Sequence, residues 1–328
     1  MVDEQLIAWL LESDIPSIRY LTRRRLLGQD ESDPRVQAEW KAMAETGPIP
    51  VILGRQTETG NWQHEKSFYT PKYTSTHWSM LLLVELQADP ADERLRRGAG
   101  FMLATTEQAV AAALEKGEPG RECMWGNMLH YVAYSGLCQD PRAQQVVSYL
   151  CRSALDTEWR CAWNWDLPCG WGAARGLWGL AALPADQRTG RVAEALEAGL
   201  HFLLEAYSLV EADYPNRGVS ALWRRLNFPL FYQVDVLFAL RVAALLGALD
   251  RPGAQRSLAW LAGWRDRQGR WHGASPFRGR TIREVAPDRE ETDRWVSLFA
   301  AGVLQQAEGT GVAGGDQLGR RYSATAAR

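Results

Sequence analysis

The sequence predicts an all-α protein on three observations. Its apolar residues follow a helical period along most of the 328 positions, Asp/Pro turn signals interrupt that period about every fifty residues, and no convincing run of strand-like alternation occurs. In residues 231–250, Val234, Leu237, Phe238, Val242, Leu245 and Leu246 recur at three- and four-residue spacing, which places them on one face of a helix. The same period marks 77–87, 126–137, 172–183, 191–207 and 295–305. The turns are Asp33-Pro34-Arg35, Asp89-Pro90, Asp140-Pro141-Arg142, Pro184-Ala185-Asp186 and Asp250-Arg251-Pro252. Each follows one apolar helix and precedes another. Asp accepts from the free N–H groups of the next helix, and Pro at its first position has no N–H to lose. The implied unit is a repeated helical hairpin.

Composition narrows the class of protein. Lys and Arg number 37 against 39 Asp and Glu, a formal net charge of -2, so no field favours nucleic acid or an anionic membrane. Hydrophobic residues make up 46% and charged residues 23%, which excludes a mainly disordered or disulfide-dense chain, while 15 Trp are far more than a chain of this length ordinarily carries. The five cysteines, at 123, 138, 151, 161 and 169, are odd in number and form no CxxC pair, which argues against a secreted disulfide framework. The N-terminus carries acids before its apolar run, unlike the basic start of a signal peptide, so a cytoplasmic location is expected. No window approaches the ~20 consecutive apolar residues of a membrane span; peripheral contact of one face with a bilayer is left open. One domain over 1–306 is expected, followed by a Gly- and Ala-rich tail over 307–328 that reads as disordered.

A second repeat is chemical. Gln56-Thr-Glu-Thr-Gly60-Asn-Trp62 and Arg265-Asp-Arg-Gln-Gly269-Arg-Trp271 place a polar residue, a Gly and a Trp at the same intervals, each directly after an amphipathic helix. Gly allows the positive φ that ends a helix, Trp packs back over that end, and the polar side chain supports the cap. Trp159, Trp163, Trp165 and Trp171 read as a degraded or elaborated copy.

These paired motifs, the fifty-residue double-helix repeats and the segment PLFYQVDVLFAL resemble the terpenoid cyclase and protein prenyltransferase superfamily, most closely its bacterial prenyltransferase-like members of unassigned function. The resemblance spans roughly residues 15–306. It implies an α/α toroid of inner and outer helices with a ligand cavity at one end. Fold alone does not fix chemistry, so each activity known on such toroids is set against the residues present.

An acid-initiated cyclase of the squalene-hopene type draws its proton from the middle Asp of an Asp-x-Asp-Asp motif. Gln233-Val234-Asp235-Val236 keeps only that middle position, which makes Asp235 the acid candidate and removes the neighbours that tune it. The competing role for Asp235 is a helix cap or a partner for Arg. Aromatic faces stabilise a carbocation, and Trp163, Trp165, Trp171, Trp178, Phe228 and Phe231 are the candidate substrate-binding walls, with Tyr232 as hydrogen-bond partner of Asp235. For any one Trp, core packing stands ahead of that role. Asp166 and His77 are further polar candidates; His77 opens an inner-type helix, where a neutral imidazole acts as base or acceptor or simply bonds a core carbonyl. Zinc chemistry in this superfamily uses Asp, Cys and His ligands. Here Leu237 stands two residues after Asp235, so a Cys169, Asp235, His272 site requires a rearranged geometry. The Cys-Gly-Trp-Gly at 169–172 lacks the Gln of a thioester domain, and Trp271 stands where a lanthionine cyclase carries Cys.

The leading expectation is a terpenoid-cyclase-like enzyme acting on an apolar, isoprenoid small molecule in the central cavity, with Asp235 as acid and no cofactor. The alternatives are a non-catalytic binding or scaffold toroid and a zinc-dependent transferase.

Overall fold

A computed structural model describes residues 3–63, 67–207, 209 and 221–309, which are mostly helical. Two alternating series of helices emerge from the hairpin pattern. The first is α5 (Thr76–Glu85), α7 (Glu122–Tyr134), α9 (Gly170–Ala181), α11 (Val236–Leu245) and α13 (Arg289–Gly309), each packed against the next. The second is α6 (Glu93–Lys116), α8 (Pro141–Leu155), α10 (Arg191–His201) and α12 (Pro252–Gly263). In it, α6 packs on α8 and α8 on α10, and the π-helical turn Phe202–Ala206 after α10 reaches α12. Residues 76–84 of α5 are buried on every side, the mark of a helix enclosed by others rather than facing water. The N-terminal helices α1 (Glu4–Leu11), α2 (Pro16–Leu21), α3 (Pro34–Glu45) and α4 (Pro48–Leu53) lead into the series, and α13 packs on α2 and on the π-helical turn Thr22–Leu26. Ser13 donates to Glu291 at 2.5 Å, and Trp9 lies beneath Arg270 and Arg294 at 4.2 and 5.2 Å, so the first and last helices are fastened together.

The turn chemistry is more regular than the Asp/Pro signal suggests. Asp33, Asp92 and Asp140 cap α3, α6 and α8 by accepting from the N–H of Arg35, Arg94 and Arg142 at 2.8, 2.8 and 2.9 Å. The same three arginines return to pair with the capping carboxylates at 3.1, 2.6 and 2.6 Å, and these hydrogen bonds hold each Asp below its usual pKa. The repeated unit is therefore Asp-x-Arg. Asp89-Pro90 lies in the turn ahead of α6, and Asp92 makes the cap.

The two Gly-x-Trp motifs form the same staple. Gly60 and Gly269 take φ of +89 and +78, and the buried indoles of Trp62 and Trp271 donate to the carbonyls of Ile52 and Leu261, each ten residues back, at 2.7 Å. Their backbone N–H groups donate to Thr76 and Ser297 hydroxyls at 3.0 and 2.9 Å, which ties each staple to a helix of the first series. Gln56 supports its cap by donating to Gly60 and Arg94 carbonyls, whereas Arg265 lies 6.0 Å over the Trp271 ring. Trp159 behaves differently. It is buried at φ +59 against Gly176, and its indole N–H has no hydrogen-bond partner among the described residues.

Helices α7 and α9 cross closely. A Cβ at Gly126 would stand 2.1 Å from the Arg175 carbonyl oxygen, and one at Gly179 would stand 2.5 Å from that of Gly126. Only glycine permits this approach. Among the described residues, strand structure is confined to β1 (Arg160–Cys161) and β2 (Leu167–Pro168), an antiparallel pair too short to show alternation. Helix α13 continues through Gly309, so residues 307–309 of the expected tail are helical; the rest of that expectation lies outside the described residues.

Candidate functional site

The C-terminal ends of α5, α7, α9 and α11 open onto a cavity of about 1910 Å³, completed by α13 and by residues of α2 and α3. Each helix of the first series contributes to its lining: Glu85 from α5, His130 from α7, Trp178 from α9, Arg241 from α11 and Phe299 from α13. Tyr20, Trp40 and Tyr134 add aromatic wall, and Arg24, Arg25 and Arg96 stand among its polar lining.

Electrostatics among these residues follow from local contacts. Arg241 donates to Glu85 at 2.9 Å while its guanidinium stacks 3.8 Å over the Phe299 ring. Burial alone would raise the Glu85 pKa, but the charges of Arg241 and Arg175 outweigh it and hold Glu85 below its usual value, ionised at neutral pH. His130 stacks on Trp178 with ring centroids 3.6 Å apart, and its Nδ1 lies 3.0 Å from the Trp178 carbonyl oxygen. A carbonyl only accepts, so Nδ1 carries the proton. Burial lowers the His130 pKa to about 4, and the neutral ring leaves Nε2 as an acceptor. One turn deeper, Arg175 is 1% exposed, donates to the Gln233 carbonyl at 2.5 Å and stacks 3.8 Å over Phe238. Its Nε has no hydrogen-bond partner among the described residues, and burial lowers its pKa to about 9, still cationic at neutral pH.

The opposite end of the first series carries a cluster of packed aromatic side chains. Tyr73, Trp78, Phe231 and Phe277 pack with ring centroids 4.4 to 5.5 Å apart, and Lys72 lies 5.5 and 5.9 Å over Tyr69 and Tyr232. Asp235 belongs to this end. It is 0% exposed and caps α11, accepting from Phe238 N–H at 2.8 Å with one oxygen and from Asn227 N–H at 3.0 Å with the other. Burial raises its pKa to about 6 against the pull of those two amides.

The sequence candidates are thus dispersed. Trp178 lines the cavity. Phe231, Tyr232 and Trp171 gather at the aromatic end, where Tyr232 meets Trp78 and Trp171 and shares a hydrogen bond with Tyr73 rather than with Asp235; burial, then Tyr73, raises its pKa to about 12. Phe228 is core, stacked on Trp295 at 4.5 Å. His77 is buried near pKa 3, its Nδ1 3.2 Å from the Tyr131 hydroxyl. Trp163 and Trp165 are 89% and 76% exposed on the β1–β2 turn and form no cavity wall, and Asp166 beside them faces solvent with Arg160 at 3.4 Å. The zinc trio is not brought together. Cys169 caps α9, Asp235 caps α11, and His272 is held between Asp293 and Asp266 at 2.8 and 3.1 Å. Among the described residues, no three His, Cys, Asp or Glu side chains are grouped to hold a metal ion, so these ligands do not fit zinc. Nor is any described helix long and apolar enough to cross a membrane.

Glu85, Arg175, Arg241 and Phe299 were not read as site residues from the sequence. A usable signal existed for three of them: a single charge set in an otherwise apolar helix of the first series, as in THWSMLLLVE, GWGAARGLWGLA and VLFALRVAAL.

Comparison of the chain with family models, curated proteins and solved structures finds no match in any of the three.

Proposed function

We propose that the two helical series close into an α/α toroid whose ligand site is the cavity at the C-terminal ends of the inner helices. The protein binds an amphipathic small molecule there, with its apolar body against Trp178, Phe299 and Trp40 and its polar end at Glu85, His130 and Arg241. An isoprenoid alcohol has both parts: a branched chain for the aromatic faces and a hydroxyl able to donate to Glu85 or His130 and accept from Arg241. The observation that carries this reading is the Glu85–Arg241 pair lining a cavity of about 1910 Å³, where each helix of the first series supplies a polar or aromatic group. Asp235 receives no catalytic role. Both of its oxygens are engaged by backbone N–H groups at the aromatic end, and the reading favoured is binding rather than acid-initiated cyclisation.

Calorimetric titration with farnesol tests it. Gly302 lines the cavity and has room beyond its Cα, so Gly302→Phe fills the space without disturbing α13. Wild type and Asp235→Asn should bind alike, and Gly302→Phe should weaken binding about tenfold or more, or about 1.4 kcal/mol. Undiminished binding by Gly302→Phe, or no binding by wild type, would remove this reading.

A further inference from the structure

The charges around the cavity are sorted by depth. Four of its acids, Glu31, Asp89, Glu93 and Asp186, are exposed, where solvent screens them, and Glu31 is matched by Arg24 at 3.5 Å. Among the described lining residues, Glu85 is the one carboxylate that is not exposed. Two guanidiniums stand with it. Arg241 pairs with Glu85 at 2.9 Å, and Arg241 and the buried Arg175 share the Phe238 ring, 5.7 and 3.8 Å from its centroid.

These groups do not balance. Arg175 donates to a neutral partner, the Gln233 carbonyl, and forms no ion pair among the described residues. His130 is neutral and adds no charge. Two cations therefore stand with one anion, an excess of one positive charge in a setting where an unmatched charge is costly. Donors are in excess as well: Arg241 spends Nη2 on Glu85, while its Nε and Nη1 have no acceptor among the described residues.

On the cavity reading above, we propose that the polar end of the ligand is a single carboxylate, so that the cavity takes apolar long-chain monocarboxylic acids in preference to alcohols or amines. A carboxylate beside Arg241 brings the one negative charge that the pair of guanidiniums lacks, and its oxygens accept from the donors that Glu85 leaves unused, in charge-assisted hydrogen bonds. A hydroxyl leaves the excess charge unmatched. An ammonium adds to it. A diphosphate overshoots it and sets further negative charge beside Glu85. The chain of the acid keeps the aromatic faces of Trp178, Phe299 and Trp40.

Calorimetric titration of the intact protein with farnesoic acid, farnesol, farnesylamine and farnesyl diphosphate holds the chain constant and varies the head group. The acid should bind about tenfold or more tighter than the alcohol, and the amine and the diphosphate should each fall about tenfold or more below the acid. In the Glu85→Gln/Arg241→Met variant, which leaves neither partner alone, acid and alcohol should bind within about threefold of each other. Equal binding of acid and alcohol by wild type, tighter binding of the amine or the diphosphate, or an acid preference that survives in the double variant would overturn the carboxylate and leave the cavity reading standing. Binding of none of these compounds would remove both.

Discussion

Asp235, fully buried, and Glu85, 11% exposed, are carboxylates at opposite ends of the first helical series, and their surroundings drive them in opposite directions. Asp235, at the N-terminal end, has two backbone amides for partners, and burial raises its pKa to about 6 against those amides and the weaker pull of Arg241 and Arg175. Glu85, at the C-terminal end, meets Arg241, which together with Arg175 overcomes the same burial and keeps it ionised. The first carboxylate has spent both oxygens on the backbone, so its work is to hold α11 and the Asn227 loop. The second faces a cavity with one oxygen committed to Arg241. A perturbed pKa marks Asp235, but geometry marks Glu85.

The largest effect expected from breaking this contrast is at the cavity. Arg241→Met leaves Glu85 buried without its cation, and urea denaturation should show a loss of about 3 to 5 kcal/mol; the Glu85→Gln/Arg241→Met double variant should recover part of it. A loss below about 1 kcal/mol would mean that solvent already screens the pair, and the two ends would no longer differ in kind.

Next in size is a pH effect from Asp235. Its folded pKa is raised, so the folded state holds its proton more tightly than the unfolded chain. Stability from this group is fully present below pH 3.8 and is lost as pH rises through about 6. The shift of roughly two units corresponds to about 3 kcal/mol. The difference in stability between wild type and Asp235→Asn, followed from pH 3 to 7, should trace that fall, and a flat difference would contradict a setting in which burial outweighs the surrounding hydrogen bonds and charges.

The two staples sharpen a different comparison. Trp62→Phe and Trp271→Phe each remove one buried indole-to-carbonyl bond, and each should cost about 1 kcal/mol in thermal or urea unfolding. Unequal costs would show that the matching motifs are not equivalent in energy.

The smallest expected effect is at His272. Its hydrogen bond to Asp293, then that to Asp266, raises its pKa above 6.5, so its stabilising contribution is present below that value and fades as pH rises through the folded pKa. An NMR titration of the imidazole should give a midpoint above 6.5, and Asp293→Asn should lower it.

Local patterns made much of the helical architecture readable and little of the site. Helices α5, α7, α9, α11 and α13 follow from periodicity, and the Trp62 and Trp271 staples from a spacing whose physical meaning lies within a dozen residues. The Glu85–Arg241 pair joins residues 156 positions apart, and no local rule brings them together. Trp178, Trp163 and Trp165 were all named for their aromatic faces; Trp178 lines the cavity, whereas a short hairpin turns Trp163 and Trp165 away from the helices into solvent. The Asp235 assignment rested on resemblance to a motif whose flanking acids are missing here, and the capping role weighed beside it matches the hydrogen bonds formed.

The most direct measurement is photolabelling of the wild-type protein with a diazirine-bearing farnesol, followed by peptide mapping. The account expects label on the C-terminal ends of α7, α9 and α11 and on α13 around Phe299 to Gln306, with competition by unmodified farnesol. Label concentrated at Phe231, Tyr232 and Asp235, or none that farnesol displaces, would contradict it.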